Sequence, residues 1–346
     1  MFAPLRTDRL VIRPLEPDDV AALHARCNDP EVARYETWEL PAPIERAERI
    51  VHGSIELGGP HDGEWWAAAV VEAASGAFVG DVATRLTFGG RSAEIGYTLD
   101  PSHWGRGYAT EATEALVGHL VDDLGVLRVS ASLHPDNVAS ARVLERCGFR
   151  YEGRTRGSFW VGDERSDDAL YGLLAEELVD WRSRPTAPPS RVELVEITSG
   201  NARAVRALET HHSQRAFVAP VLASFADALV PEEHLGHPVV PWLRAIEADG
   251  EPVGFVMVAA QTEHHPEPYL WRLLIDRRHQ RRRIGARALD LVEAFWRDAG
   301  SEAIEVSWAE GHGSPRPFYE ARGYVPTGEI EEGETVARLP LTTRSD

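Results

Sequence analysis

The residues with the clearest chemistry are Ser102-His103-Trp104-Gly105-Arg106-Gly107-Tyr108-Ala109-Thr110-Glu111-Ala112, which follow an apolar strand-like run and open an amphipathic helix. Small residues at Gly105, Gly107 and Ala109 let backbone N–H groups approach a ligand closely. The helix beginning near Thr110 aims its positive end at the same place. This spacing predicts a cradle for two linked phosphates, although the same residues also suit a tight turn that only packs a helix on a sheet. Leu116, Val117, Leu120, Val121 and Leu124 recur at helical spacing and Gly125 supplies a stop, so a helix must position the turn.

The elements around it follow from period and punctuation. Arg9 to Leu15 alternates as an opening strand, and Pro17-Asp18-Asp19 starts a helix with proline and acids in its first turn. A second helix runs from about Pro43 to Leu57. Strands follow at Glu64 to Ala73, Ala77 to Leu86 and Ser92 to Leu99, separated by Ser75-Gly76 and Gly89-Gly90. After the cradle helix come a strand over Leu127 to Leu133, a helix over Asn137 to Cys147, and strand regions near Phe149 to Val161 and Asp168 to Leu174.

Residues 183–191, inside Arg182-Ser183-Arg184-Pro185-Thr186-Ala187-Pro188-Pro189-Ser190-Arg191, are too proline-rich for a regular element and read as an extended linker between domains 1–182 and 192–346. Beyond it the architecture begins again with little repeat of sequence. Val192 to Ile197 is a strand, Ala202 to His211 and Val221 to Leu229 are helices, and Trp242 to Glu247 pairs with Val253 to Ala259. Tyr269 to Asp276 is a buried strand, Arg277 to Gly285 a turn, Ile284 to Asp298 a helix and Ala303 to Trp308 a strand.

The chain has 346 residues, enough for two domains of about 150 to 180. Two cysteines, Cys27 and Cys147, argue against a disulfide framework and fit a reducing compartment. No apolar run of about 18 residues occurs, so a membrane span is not expected and a cytoplasmic location is. All 36 basic side chains are arginine against 55 acidic ones, a net charge of −19 that disfavours nucleic acid and suits a cationic partner. Arg277 to Arg283 is then a basic surface turn rather than a nucleic-acid site.

With Ala93-Glu94-Ile95-Gly96-Tyr97 before the cradle and Asn137-Val138-Ala139-Ser140-Ala141-Arg142-Val143-Leu144-Glu145-Arg146-Cys147-Gly148-Phe149 after it, the first half resembles the GCN5-related N-acetyltransferase (GNAT) superfamily, in its RimJ/RimL-like branch. Gln214 to Pro220, Trp271 to Asp276, Phe318 to Tyr324 and Pro326 to Ile330 give the second half a resemblance to bacterial diamine/spermidine N-acetyltransferases of the same superfamily. The resemblance implies an α+β fold of two domains, each a mixed, mostly antiparallel sheet with flanking helices. It implies acetyl-CoA as cosubstrate and direct transfer of acetyl to a primary amine: a protein N-terminus, a polyamine or another small cationic amine. Modification of an amine-bearing antibiotic is an alternative, as is one active domain beside a non-catalytic CoA-binding or dimerisation module. A homodimer is compatible with either.

By the same resemblance Gly105, Arg106, Gly107, Ala109 and Thr110 hold the pyrophosphate, with Trp104 where the family has Gln or Arg. Glu94 accepts the ammonium proton or, alternatively, pairs with an arginine. Asn137 contacts the cofactor and caps a helix, and Ser140 assists the leaving sulfur. In the second half Tyr319 protonates the departing thiolate, while Leu144 stands there in the first. Gln280, Arg282, Arg283 and Gly285 form the second cradle, with Arg283 in place of a glycine, which threatens close backbone approach. Glu94 aligns with Leu270, leaving Glu267 and Glu310 as weak substitutes, and His312 replaces the family's Asn. His264-His265 lacks metal-ligand spacing and is expected at the surface. Cys147 is expected to be packed rather than nucleophilic.

Overall fold

The computed structural model describes residues 2–36, 38–161, 163–234 and 236–341. The chain divides into two compact units, Met1–Arg182 and Ser183–Asp346.

The first unit runs β1 (Leu5–Arg6), β2 (Leu10–Pro14), α1 (Val20–Cys27), α2 (Pro30–Ala33), α3 (Ile44–Leu57), β3 (Trp66–Glu72), β4 (Phe78–Thr87), β5 (Ser92–Leu99), α4 (Tyr108–Gly118), β6 (Arg128–Leu133), α5 (Val138–Arg146), β7 (Arg150–Val161), β8 (Glu164–Leu174) and α6 (Ala175–Arg182). Its eight strands pair in the order β1-β2-β3-β4-β5-β6-β8-β7. Every pairing is antiparallel except β5 with β6. Helices cover both faces, which is why β3 reads Trp-Ala-Ala-Ala-Val-Val without a polar alternate. Trp66, Ala68 and Val70 join the core under α4 and α5. Ala67, Ala69 and Val71 join the core under α1 and α3.

The second unit runs β9 (Val192–Val195), α7 (Ala202–Arg206), α8 (Val221–Leu229), β10 (Glu233–His234), β11 (His237–Pro238), β12 (Pro241–Ala248), β13 (Glu251–Ala259), β14 (Tyr269–Ile275), α9 (Ile284–Asp298), β15 (Ala303–Trp308), α10 (Arg316–Glu320), β16 (Val325–Glu331) and β17 (Glu334–Pro340). Seven strands pair as β16-β17-β15-β14-β13-β12-β9, and again only the central β14–β15 contact is parallel. Both units are therefore α+β with mixed, mostly antiparallel sheets.

In each sheet the parallel contact is short. β5 and β6 pair only through Ser92, Ala93 and Glu94 against Arg128, Val129 and Ser130. β14 and β15 pair only through Tyr269 and Leu270 against Glu305 and Val306. Beyond these residues the strands separate, leaving a wedge beside the following helix.

Three features depart from the sequence reading. The cradle helix ends as an α-helix at Gly118, and a π-wound turn follows in which the Leu124 N–H reaches the His119 carbonyl at 3.1 Å. The wider winding rotates Leu124 out of the apolar stripe to 44% exposure. Helix α7 stops at Arg206 rather than His211, because the chain is drawn off to bond elsewhere: the Glu209 N–H donates to Asp276 and the Glu209 carbonyl accepts from the Arg277 N–H. Proline-rich residues 187–190 are extended but anchored within the second unit, where Arg282 donates to the Ala187 carbonyl and Arg287 to those of Pro189 and Ser190.

Candidate active site

The first cradle is shaped by two left-handed glycines, Gly105 at φ 74° and Gly107 at φ 80°. Gly107 is the N-cap of α4 and offers no side chain to cap it. Among the described residues nothing accepts from the N–H groups of Gly105, Arg106, Gly107, Tyr108, Ala109 or Thr110. Six donors with no acceptor among the described residues, at the positive end of an 11-residue helix, suit an anion. No atom lies within 4 Å of a Cβ built on Gly105, so the turn is open. The buried Thr110 hydroxyl also lacks a partner.

Arg9, read from the sequence only as the start of a strand, borders this edge. Its guanidinium donates to the Arg106 carbonyl at 2.9 Å and to Glu111 at 2.7 Å, and lies 4.8 Å from the Tyr108 ring centroid. It thereby occupies the Arg106 carbonyl, while its charge is balanced by Glu111.

Trp104 has a positional role that explains its departure from the family residue. Its indole N–H donates to the Leu99 carbonyl at 2.9 Å. In the second unit the Gln280 amide donates to the Ile275 carbonyl at 3.0 Å. Both tie the turn to the end of the strand before it. The two turns also share their starts: the Asp100 carboxylate accepts from the Ser102 N–H as the Asp276 carboxylate does from the Arg278 N–H, each at 2.9 Å.

The match extends to the backbone. Arg281 and Arg283 sit at φ 61° and 60°, the left-handed conformation that glycine holds in the first cradle. Arginine at both positions therefore still adopts the turn that glycine makes in the first unit. Nothing described accepts from the N–H groups of Arg281 through Ala286. Arg281 and Arg283 are exposed, whereas Arg282 is buried, donating to Ala187 and contacting His279 at 2.7 Å. Arg282, expected at the phosphates, instead anchors the linker. Gly285 stands in the first turn of α9 with ordinary clearance.

Strand alternation divides the remaining candidates between two faces of the first wedge. Ala93, Ile95, Tyr97 and Leu99 point to the α4–α5 side. There the Asn137 side chain accepts from the Ser140 N–H at 3.1 Å, so it caps α5 as anticipated. The Ser140 hydroxyl donates to the Tyr97 phenol, which donates to the Ser140 carbonyl, both at 2.8 Å. Burial, against the Ser140 hydrogen bond, pushes the Tyr97 pKa up, so the phenol stays protonated. Tyr97 was not singled out in the sequence; it supplies the aromatic hydroxyl that Leu144, a buried core residue, does not.

Glu94 lies on the opposite face and pairs with Arg85 at 2.6 Å, both side chains partly exposed. Its arginine-paired alternative is thus the one the structure displays. Gly96 follows on that face, and a Cβ added there would meet no atom within 4 Å.

In the second unit Tyr319 is packed between Trp308 and Tyr324, with ring centroids at 5.9 and 5.5 Å. Its hydroxyl makes no hydrogen bond among the described residues, and burial raises its pKa. Neither carboxylate substitute is free: Glu267 pairs with Arg338 at 2.7 Å and Glu310 with Arg316 at 3.3 Å. Instead Tyr269, beside the splay, donates to Ser307 at 2.5 Å, and Ser307 donates to Glu334. Burial lifts the Tyr269 phenol to about 12. Only its place next to Leu270, the last residue of β14 paired with β15, could have marked it in advance.

His312 is exposed in the loop before α10. His264 is exposed and stacks on His237 at 3.5 Å, but His265 is buried against Thr262, correcting the expectation that both face solvent. Among the described residues no cluster suits a metal ion. Cys147 is buried, its thiol 3.7 Å from the Thr110 carbonyl.

A splayed sheet with an open, positively polarised helix start at the wedge recurs in both units, a layout suited to a transferase that takes a phosphate-bearing donor. The family model "Acetyltransferase (GNAT) domain" matches residues 9–150, and "Acetyltransferase (GNAT) family" matches 192–324. The chain belongs to this acetyltransferase family and carries two of its domains in tandem. It is 31% identical over 175 residues to the uncharacterised N-acetyltransferase YoaA of Bacillus subtilis, covering 50% of this chain and 98% of that protein. It is 34% identical over 86 residues to the ribosomal-protein-serine acetyltransferase of Escherichia coli, 25% of this chain and 48% of that protein. The solved Mycobacterium smegmatis RimJ in complex with CoA-disulfide is 27% identical, covers 51% of this chain and 88% of its own, with TM-score 0.44. The donor of the family is acetyl-CoA. The open turns and their free N–H groups fit its diphosphate.

Proposed function

We propose that both domains transfer acetyl from acetyl-CoA to primary amines, the first to an N-terminal or small amine and the second to a polyamine or a cationic amine of similar size. The observation that carries this reading is the twin set of six unsatisfied N–H groups, at Gly105 to Thr110 and Arg281 to Ala286, each at a helix start beside a wedge in the sheet. Bound acetyl-CoA supplies the activated carbonyl and the thiolate leaving group. The chain's residues hold the diphosphate by backbone N–H groups, and the Tyr97–Ser140 hydroxyl pair stands ready to deliver a proton on the α4–α5 side. Tyr319, with a free hydroxyl and a raised pKa, has the same capacity in the second domain. The acceptor approaches the first wedge from the Glu94 face, where Gly96 leaves room. The acidic net charge favours cationic acceptors for either site.

Calorimetric titration of the full chain tests the reading. We expect two acetyl-CoA molecules per chain, falling to one in Gly107→Trp and one in Gly285→Trp, and amine-dependent release of free thiol. Undiminished stoichiometry in both variants places the cofactor elsewhere. Tyr319→Phe should lower second-domain turnover with acetyl-CoA affinity retained.

A further inference from the structure

On the face of the first wedge opposite the cradle, the loop between α2 and α3 brings a second carboxylate to β5. The Thr98 hydroxyl donates to Glu36 Oε1 at 3.4 Å. Thr98, Gly96 and Glu94 alternate along one face, so Glu36 and Glu94 stand at two ends of a strip about 13 Å long, with the open Gly96 midway. The neighbouring Tyr35 ring stacks on His134, at the end of β6, with centroids 5.2 Å apart. Tyr35 and Glu36 therefore reach both parted strands at the mouth of the wedge.

We propose that Glu36 is the carboxylate that receives the acceptor's ammonium proton in the first domain. This rests on the acetyl-transfer reading of the wedge and goes beyond it by replacing Glu94 in that role. Glu94 already holds Arg85 at 2.6 Å, and taking a proton would mean giving up that partner. Glu36 has no ion pair among the described residues. The cation that acts on it most strongly, Arg26 of α1, is committed to Asp81 of β4 and to the Thr98 carbonyl of β5 at 2.6 Å. Arg46 of α3 lies over the Trp38 ring, 4.4 Å from its centroid. Burial, opposed by Arg26, Thr98 and Arg46 and reinforced by Asp81, raises the Glu36 carboxyl to about 6. A carboxylate of that basicity is ionised at neutral pH and still takes a proton readily.

One proton passes from the ammonium to Glu36, and the freed nitrogen lone pair forms the N–C bond to the acetyl carbon as the C–S bond breaks. The second nitrogen-borne proton ends on the sulfur, giving free thiol, and Glu36 returns its proton to water.

The test uses the full chain in a Gly285→Trp background, which silences the second cradle, with spermidine and a seryl tetrapeptide as acceptor probes and thiol release as readout. We expect Glu36→Gln to lower kcat about 100-fold, with the KM for acetyl-CoA within twofold. The acidic limb of the kcat/KM profile, with its inflection near 6 in the parent, should vanish in Glu36→Gln and persist in Glu94→Gln. Glu36→Asp should restore part of the rate and the limb, and thermal melts establish that each variant is folded. A folded Glu36→Gln protein within twofold of the parent rate overturns the proposal, as does loss of the limb in Glu94→Gln alone. Absence of thiol release by the parent with either probe, despite bound acetyl-CoA, overturns the acetyl-transfer reading itself.

Discussion

Individual side chains in this protein are assigned by what they are already bound to. Trp104 and Gln280 differ in every property except a donor placed to reach the last carbonyl of the preceding strand, and that donor is what the turn needs. Glu36 shows the reverse case, a carboxylate with no ion pair among the described residues. Its folded pKa of about 6 exceeds the ordinary 4.5, so its contribution to stability is full below pH 4.5 and lost as pH rises through 6. The difference of 1.5 units corresponds to about 2 kcal/mol. Glu36→Gln, lacking this cost, should gain on wild type by about 4 to 8 °C in melting temperature between pH 4.5 and pH 8. A calorimetric scan at the two pH values checks it, and equal differences at both would show that burial at Glu36 is not felt by the folded state.

At the scale of elements, the two cradles are one backbone design written in different residues. Arginine at a left-handed φ costs about 1 kcal/mol or more at each position, partly offset because glycine loses more freedom on folding. The Arg281→Gly/Arg283→Gly variant should therefore be more stable in its second unit by about 1 kcal/mol, measured by denaturant unfolding. Its affinity for acetyl-CoA should fall several-fold at low salt and converge on wild type at high salt, if the exposed guanidinium groups meet the phosphates. Stability that drops instead would mean that the arginines hold the turn by contacts of their own.

At the scale of the whole molecule, each unit carries its own core, its own parallel strand contact and its own helix start, so ligand binding should protect the two independently. Hydrogen exchange on the full chain with saturating acetyl-CoA should slow at residues 105–112 and at residues 281–288. In Gly107→Trp only the second protection should remain. Loss of both would show that one domain's cradle depends on the other's occupancy.

The sequence by itself determined much of this architecture, because period and punctuation are local properties. The bounds of β5, α8, α9 and β15 were readable from apolar spacing and glycine stops, and the first cradle from Gly105 and Gly107, whose left-handed turns few other residues tolerate. Asn137 as a cap is equally local. What only the tertiary structure decided is which distant groups meet: Arg85 occupying Glu94, Arg282 drawn to residue 187, Tyr97 joined to Ser140, and Glu36 set against Thr98 across 62 residues of chain. A carboxylate's chemistry depends on the charge and water around it, and those are set by elements that sequence order does not bring together. That is why the glycine turn before α4 was legible in one line of residues, while the carboxylate proposed to take the proton was not.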